Sequence, residues 1–183
     1  LYLGGNPNQR AVQLVLTGNN TGVAADLASG ASLDLTVSTE TVSRSADSGW
    51  AAIQAENGSI RISGTEPSIN VNIYGLGAAG DWAILPEFTI NALYAENGLV
   101  TADGTSWTAD MVNLTYAGFA NLVYDIGKML SDDGRLFQVR FTKLGDSPLK
   151  DYASTDNQKA AVDSLWTVTS APQNISPAMM EFL

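Results

Sequence analysis

Apolar and polar residues alternate along much of the chain, and this pattern predicts strands. In the segment 32–42, Leu33, Leu35 and Val37 alternate with polar residues, as in a strand with one buried face. Comparable segments predict further strands at 11–17, 69–73, 136–141 and 165–169. We therefore expect a mainly β protein.

The tetrapeptide Ala-Glu-Asn-Gly occurs at 55–58 and again at 95–98, and Gly-Thr follows each copy after six residues. Asn-Gly favours positive φ in the tight turn of a hairpin. Apolar-rich segments flank both copies. The repeat predicts two β-hairpins of one design, 50–55 with 59–63 and 88–94 with 99–102.

A helical spacing of apolar residues is clearest within 110–130. The residues that recur at i, i+3, i+4 and i+7 are Phe119, Leu122, Val123, Ile126, Met129 and Leu130. This stripe predicts an amphipathic helix that Gly134 ends. We expect the helix to pack on a sheet of its own chain, with a partner subunit as the alternative.

These elements predict a single β-rich domain over residues 1–183, namely a two-layer β-sandwich or open barrel of about eight strands with one flanking α-helix. An extended polar loop is expected at 43–49, and a long loop or a short helix at 145–159. The tail after Ala171 is apolar at its end, so we expect it to enter the core or contact a neighbour. The chain begins at Leu1 rather than Met, which suggests trimming or cleavage.

Composition limits the chemistry that is available. The 183 residues contain no Cys and no His. Their absence excludes thiol chemistry and Ser-His-Asp or Cys-His catalysis. A zinc site would have only oxygen ligands, which zinc rarely accepts. The turn at 131–134 is acidic but lacks the ligand spacing of an EF-hand, and we expect it to end the helix. We predict no cofactor, no metal and no catalytic residue.

Two alternatives for a binding or catalytic site depend on carboxylates and aromatics. Asp81 and Glu87 near Trp82 would suit a glycosidase, and the chain's four tryptophans could form a carbohydrate-binding face or fill the core. These are Trp50, Trp82, Trp107 and Trp166. The core interpretation is favoured for the tryptophans, and we predict that the protein is not an enzyme.

The net charge is −10, with nine basic residues against nineteen acidic ones. Binding of nucleic acid by charge neutralisation needs clustered Lys and Arg, so we expect no measurable DNA binding. No apolar stretch reaches the roughly 20 residues of a membrane span, and no membrane partner is predicted.

Residues 31–65 resemble the major tail (tube) proteins of long-tailed bacteriophages. The matching features are a strand ending in acidic and hydroxyl residues at 37–42, a polar loop at 43–49, an Asp-Ser-Gly-Trp element at 47–50 and an Ile-Arg-Ile-Ser-Gly strand at 60–64. The resemblance implies a non-enzymatic virion protein, assembled in the host cytoplasm. Six copies would form a ring, and stacked rings would form a tail tube with an electronegative lumen.

In such a tube the partners are further copies of the chain and other virion proteins, and DNA passes through without being bound. The loop at 43–49 would contact a neighbouring subunit, and the apolar tail would be a second contact. The interface residues that we predict are Ser43, Arg44, Ser45, Asp47, Met179, Met180, Phe182 and Leu183. The alternatives are a head-decoration, tail-terminator or fibre-associated domain, or a secreted or surface β-sandwich for adhesion or carbohydrate binding.

Overall fold

The computed structural model describes residues 2–3, 13–17, 22–37, 39–46, 50–64, 67–73, 87–117, 124–145, 150–151 and 153–170. Within these ranges the chain forms twelve strands and two α-helices. The strands are β1 (Tyr2–Leu3), β2 (Leu14–Thr17), β3 (Val23–Leu27), β4 (Ser32–Val37), β5 (Ile53–Glu56), β6 (Ser59–Ile62), β7 (Ser68–Ile73), β8 (Glu87–Ala95), β9 (Leu99–Thr101), β10 (Asn113–Ala117), β11 (Tyr124–Leu130) and β12 (Leu136–Lys143). The helices are α1 (Thr39–Ala46) and α2 (Asp156–Ser170).

The strands form three sheets, and from β1 to β10 strands three apart in the sequence lie next to each other. Face A has the order β1-β4-β7-β10, face C has the order β3-β6-β9, and face B has the order β11-β12-β8-β5-β2. Neighbouring strands are parallel, except that β12 pairs antiparallel with both β8 and β11. The chain therefore winds as a three-sided β-solenoid, in which each of three successive coils adds one strand to each face.

The repeated tetrapeptide forms the corner between faces B and C in two successive coils. The amide of Glu96 donates to the carbonyl oxygen of Ala55 at 3.0 Å, and that of Asn97 donates to the carbonyl oxygen of Gly58 at 3.1 Å. The prediction of two hairpins is therefore wrong. The strands on either side of each turn lie in different sheets and pair with the next coil, not with each other.

The core lies inside the solenoid, where side chains of successive coils stack. Leu33 is in register with Ile69, Ile53 with Leu93, and Ile60 with Leu99, and all six side chains are buried. Parallel, in-register pairing brings apolar positions of one coil onto those of the next. The alternation in the sequence thus sets which side chains point inward on each face.

The helices differ from the sequence prediction. The predicted helix at 110–130 is wrong, because β10 and β11 occupy most of that segment, and 118–123 lies outside the described residues. Along β11 half-buried residues alternate with exposed ones after Tyr124, so a strand explains the apolar residues from Ile126 to Leu130. The predicted strand at 165–169 is also wrong, since α2 covers it. The strand predicted at 32–42 ends as β4 at Val37, because α1 covers 39–42. The same helix covers 43–46 of the predicted loop at 43–49, and 47–49 lies outside the described residues. In the segment 145–159, α2 begins at Asp156.

The mainly β prediction is confirmed. Strands predicted at 11–17, 69–73 and 136–141 correspond to β2, β7 and β12. The finer arrangement differs, because the described residues form three sheets instead of two layers, twelve strands instead of about eight, and two helices instead of one. Parallel pairing between coils, which no single segment encodes, is the reason.

Candidate functional site

Three of the predicted interface residues lie on α1. Ser43 and Arg44 are exposed, whereas Ser45 is half-buried. Ser45 uses its polar atoms within the chain, since its Oγ accepts from the amide of Asn91 at 3.1 Å and its carbonyl oxygen accepts from Asn91 Nδ2 at 3.0 Å. The other predicted interface residues, Asp47, Met179, Met180, Phe182 and Leu183, lie outside the described residues.

Asn91 connects α1 to face B. It is only 6% exposed, and its Nδ2 also donates to the carbonyl oxygen of Trp50 at 2.8 Å. Its Oδ1 accepts from Gln138 Nε2 at 2.7 Å. A buried amide keeps its place only when its donors and acceptors are paired. Asn91 therefore fixes α1 on the outside of the solenoid, with Ser43 and Arg44 directed to solvent.

An antiparallel hairpin, β11–β12, extends face B beyond β8 at the C-terminal end of the solenoid. Its turn at 131–134 stacks on the second corner, where the amide of Leu99 donates to Gly134 O at 2.9 Å and that of Ala95 donates to Arg135 O at 2.9 Å. The turn is closed by Ser131 Oγ, which donates to Asp133 Oδ1 at 2.6 Å. The hairpin takes the place of a further coil and ends parallel stacking on this face.

This arrangement corrects the expectation that 131–134 ends a helix. The turn joins two strands, and Gly134 adopts φ +68°. The hydrogen bond from Ser131 and the backbone N–H of Arg135 hold the pKa of Asp133 below its ordinary value. Within the described ranges, no group of three or more acidic residues is placed to hold a metal ion.

The opposite end of the solenoid is open in the part of the chain that the structure describes. There β1, β2 and β3 are the edge strands of faces A, B and C, and none of the described strands pairs with their outer edges. Val15 on β2 and Val23 on β3 are 44% and 42% exposed. An edge strand with unpaired N–H and C=O groups and exposed valines is a surface to which another strand can add.

The outer surface of face A carries a polar ladder across three coils. Asn70 Nδ2 donates to Asp34 Oδ1 at 2.9 Å, and Thr115 Oγ1 donates to Asn70 Oδ1 at 3.1 Å. On face C, Arg61 forms an ion pair with Asp26 at 2.5 Å. The hydrogen bonds from Arg61 and Ser63 lower the pKa of Asp26. These contacts join neighbouring coils and leave the faces solvated.

The carboxylates and tryptophans that suggested a sugar site do not come together among the described residues. Glu87 is ion-paired with Arg140 at 2.5 Å, and Trp107 is buried, with its Nε1 donating to Val100 O at 2.7 Å. Trp50 is half-buried against the core. Asp81, Trp82 and the side chain of Trp166 lie outside the described residues.

No protein-family model, curated protein or solved structure matches this chain. Among the helices that the structure describes, neither has the length and apolar character needed to cross a membrane.

Proposed function

We propose that this protein is a non-enzymatic structural protein that assembles with further copies of itself, and that it belongs to a virion. The open edges of β2 and β3 carry the assembly part of the proposal. An exposed edge of this kind accepts an added strand through backbone hydrogen bonds. The resemblance of 31–65 to tail-tube proteins supports the virion part.

The solenoid geometry favours a fibre-associated role over a ring-forming tube subunit. The segment 31–65 contains β4, α1, β5 and β6, and these three strands pair with strands of the coils before and after them. Coils of this kind add along one axis and build a rod. A tail tube with DNA as passing cargo is the second virion role, supported by the resemblance and by the net charge of −10.

The hairpin on face B makes the two ends of the solenoid different. Because β12 and β11 pair antiparallel beyond β8, no further parallel coil follows β8 on that face among the described residues. Two copies can instead meet through their open edges about a two-fold axis, which gives antiparallel pairing between equivalent strands. The proposal is thus a dimer joined end to end, with its long axis along the solenoid.

Sedimentation and electron microscopy test this function. Lysines at the open edge, Val15→Lys and Val23→Lys, should reduce self-association, because an edge lysine resists strand addition. Met129→Lys replaces a residue of similar exposure, 40%, on the hairpin, and it should leave association unchanged. Elongated particles support the fibre role and stacked rings the tube role, whereas a monomer at all concentrations contradicts both.

A further inference from the structure

A groove of about 750 Å³ follows the corner at which the chain passes from face C to face A. Turns from three successive coils line it: Ser29 follows β3, Ser63 and Gly64 follow β6, and Ala102, Asp103 and Thr105 follow β9. A Cβ on Gly64 would lie 1.8 Å from the backbone N of Ser29, so the first two turns are packed closely. The groove has the size of a small-molecule site, which is roughly 300–1,000 Å³.

The chemistry of the lining excludes several ligands. Most of its polar side chains carry hydroxyl, amide or carboxylate groups, and no Lys or Arg is among the described lining residues. They include Ser63, Thr101, Asp103, Thr105, Asp110 and Asn113. In a chain of net charge −10, such a groove repels polyanions. It suits a neutral ligand that both donates and accepts hydrogen bonds.

Asp103 is held as a hydrogen-bond acceptor by its own turn. Its Oδ1 accepts from Thr105 N at 3.2 Å, from Thr105 Oγ1 at 2.9 Å and from Thr101 Oγ1. Gly104 adopts φ +82° and donates its N–H to Thr101 O at 3.0 Å. These bonds, above all that from Thr101, keep the pKa of Asp103 below its ordinary value. The groove thus contains a preorganised carboxylate, which lowers the ordering cost of binding.

Asp110 is less suited to attract a cation. Lys128 Nζ lies 3.7 Å from Asp110 Oδ1 and donates to Val112 O at 2.9 Å. The lysine therefore offsets part of the negative charge at this end of the groove. Next to it, Met111 is 38% exposed and gives an adaptable apolar surface. Ile62 also belongs to the lining.

We infer that this groove binds a neutral oligosaccharide. Sugar hydroxyls donate to carboxylates such as Asp103 and accept from Ser, Thr and Asn side chains. The C–H faces of a sugar ring can pack on Met111. The site extends over three coils, so several sugar units can lie along the corner. This activity goes beyond assembly and uses none of the open-edge residues.

The test is binding of wild-type protein to an array of neutral, sialylated and sulfated oligosaccharides, followed by titration of each neutral binder. Asp103→Asn keeps an Oδ1 acceptor for the turn but removes the charge, and it should weaken binding about tenfold, as expected for loss of one charged hydrogen bond. Asp125→Asn makes the same change at an exposed position on β11, and it should bind as wild type does.

Three outcomes overturn the inference: no neutral oligosaccharide binds at millimolar concentration, only acidic glycans bind, or Asp103→Asn binds as well as wild type. Titration with CaCl₂ alone distinguishes a cation site, because calcium binding that Asp103→Asn abolishes would replace the sugar as ligand. Sedimentation of Asp103→Asn should match that of wild type. A loss of assembly in this variant would also count against a groove that is independent of the open edge.

Discussion

The backbone N–H of Asn57 donates to Glu96 Oε2 at 2.8 Å, so the two copies of the repeated tetrapeptide contact each other across successive coils. The copies share a sequence but not a conformation. In the first copy Asn57 has positive φ, at 53°, whereas in the second copy Gly98 has it, at 93°. The contact between coils, and not the tetrapeptide alone, therefore selects which residue takes the left-handed conformation.

Gly98→Ala should destabilise the protein by about 1–2 kcal/mol, because a residue with a Cβ resists positive φ. A Cβ at Gly98 would meet only Gly134 O, at 3.9 Å, so steric contact adds little to this cost. Gly127→Ala is the matched control, because a Cβ added at Gly127 would also have open space around it but Gly127 does not have positive φ. Urea unfolding should separate the two variants, and equal midpoints would contradict the prediction.

The turn chemistry of this corner could be predicted from the sequence, but its pairing could not. Asn-Gly at 57–58 and at 97–98 predicts a tight turn, and the structure has a turn at both sites. Whether the flanking strands pair with each other or with another coil depends on partners about 40 residues away. A sequence repeat with a period of 20–50 residues is typical of stacked coils. The recurrence of Ala-Glu-Asn-Gly after 40 residues therefore indicated the solenoid.

Asn91→Ala should cost about 2–3 kcal/mol, because it leaves the carbonyl oxygens of Ser45 and Trp50 without their buried donor. Gln138→Ala removes only the bond to Asn91 Oδ1, from a half-buried position, and should cost less. Equilibrium unfolding of the two variants measures the difference. If Asn91→Ala were the milder change, α1 would not be held through this side chain.

The helices were the least predictable elements. Thr155 begins α2 with a capping box, in which Gln158 N donates to Thr155 Oγ1 at 3.2 Å and Thr155 N donates to Gln158 Oε1 at 3.1 Å. This Thr-x-x-Gln spacing is visible in the sequence and could have indicated the helix. For α1 the sequence offered less, since Thr41 is its one buried residue among those whose side chains the structure describes.

The groove also could not be predicted, because its lining comes from turns far apart in the sequence. Ser29, Ser63 and Asp103 meet only because the coils stack. What the sequence did indicate was the shortage of basic residues, nine against nineteen acidic ones. That imbalance predicts a surface unsuited to polyanions without locating any site.

The ion pair between Asp26 and Arg61 should make folding stability sensitive to acid. The pKa of Asp26 is lowered from 3.8 in the folded state, first by Arg61 and then by Ser63. Its contribution is therefore complete above pH 3.8 and is lost as the pH falls from there through the folded pKa. Asp26→Asn should unfold more easily than wild type at neutral pH, and the two should converge in acid.

Arg61→Gln provides the control for this pH effect. In that background the main cause of the lowered pKa is absent, so Asp26→Asn should change the acid dependence of unfolding much less. Chemical denaturation at a series of pH values from neutral to strongly acidic measures the effect of Asp26→Asn in both backgrounds, wild type and Arg61→Gln. If Asp26→Asn changed the acid dependence as much in Arg61→Gln as in wild type, Arg61 would not be the cause of the lowered pKa of Asp26.

Tyr124 has a buried hydroxyl group for which the described part of the chain provides no hydrogen-bond partner. Its ring packs edge-on against Phe88 and Phe141, with centroids 5.3 Å and 5.9 Å away. Tyr124→Phe keeps these contacts and removes the unpaired group, so it should stabilise the fold by about 1 kcal/mol. Tyr124→Leu, which loses the ring contacts, should destabilise it.

The same burial raises the pKa of Tyr124 above its ordinary value of 10.0. As the pH rises, the unfolded chain loses the phenolic proton before the folded protein does. The free energy of unfolding is therefore unaffected by this group below pH 10 and falls as the pH rises further. Tyr124→Phe has no such proton, and its advantage over wild type should grow in alkali. Unfolding titrations at neutral pH and above pH 10 test this. A hydroxyl that is paired in solution would reverse the first result, because Tyr124→Phe would then be the less stable protein at neutral pH.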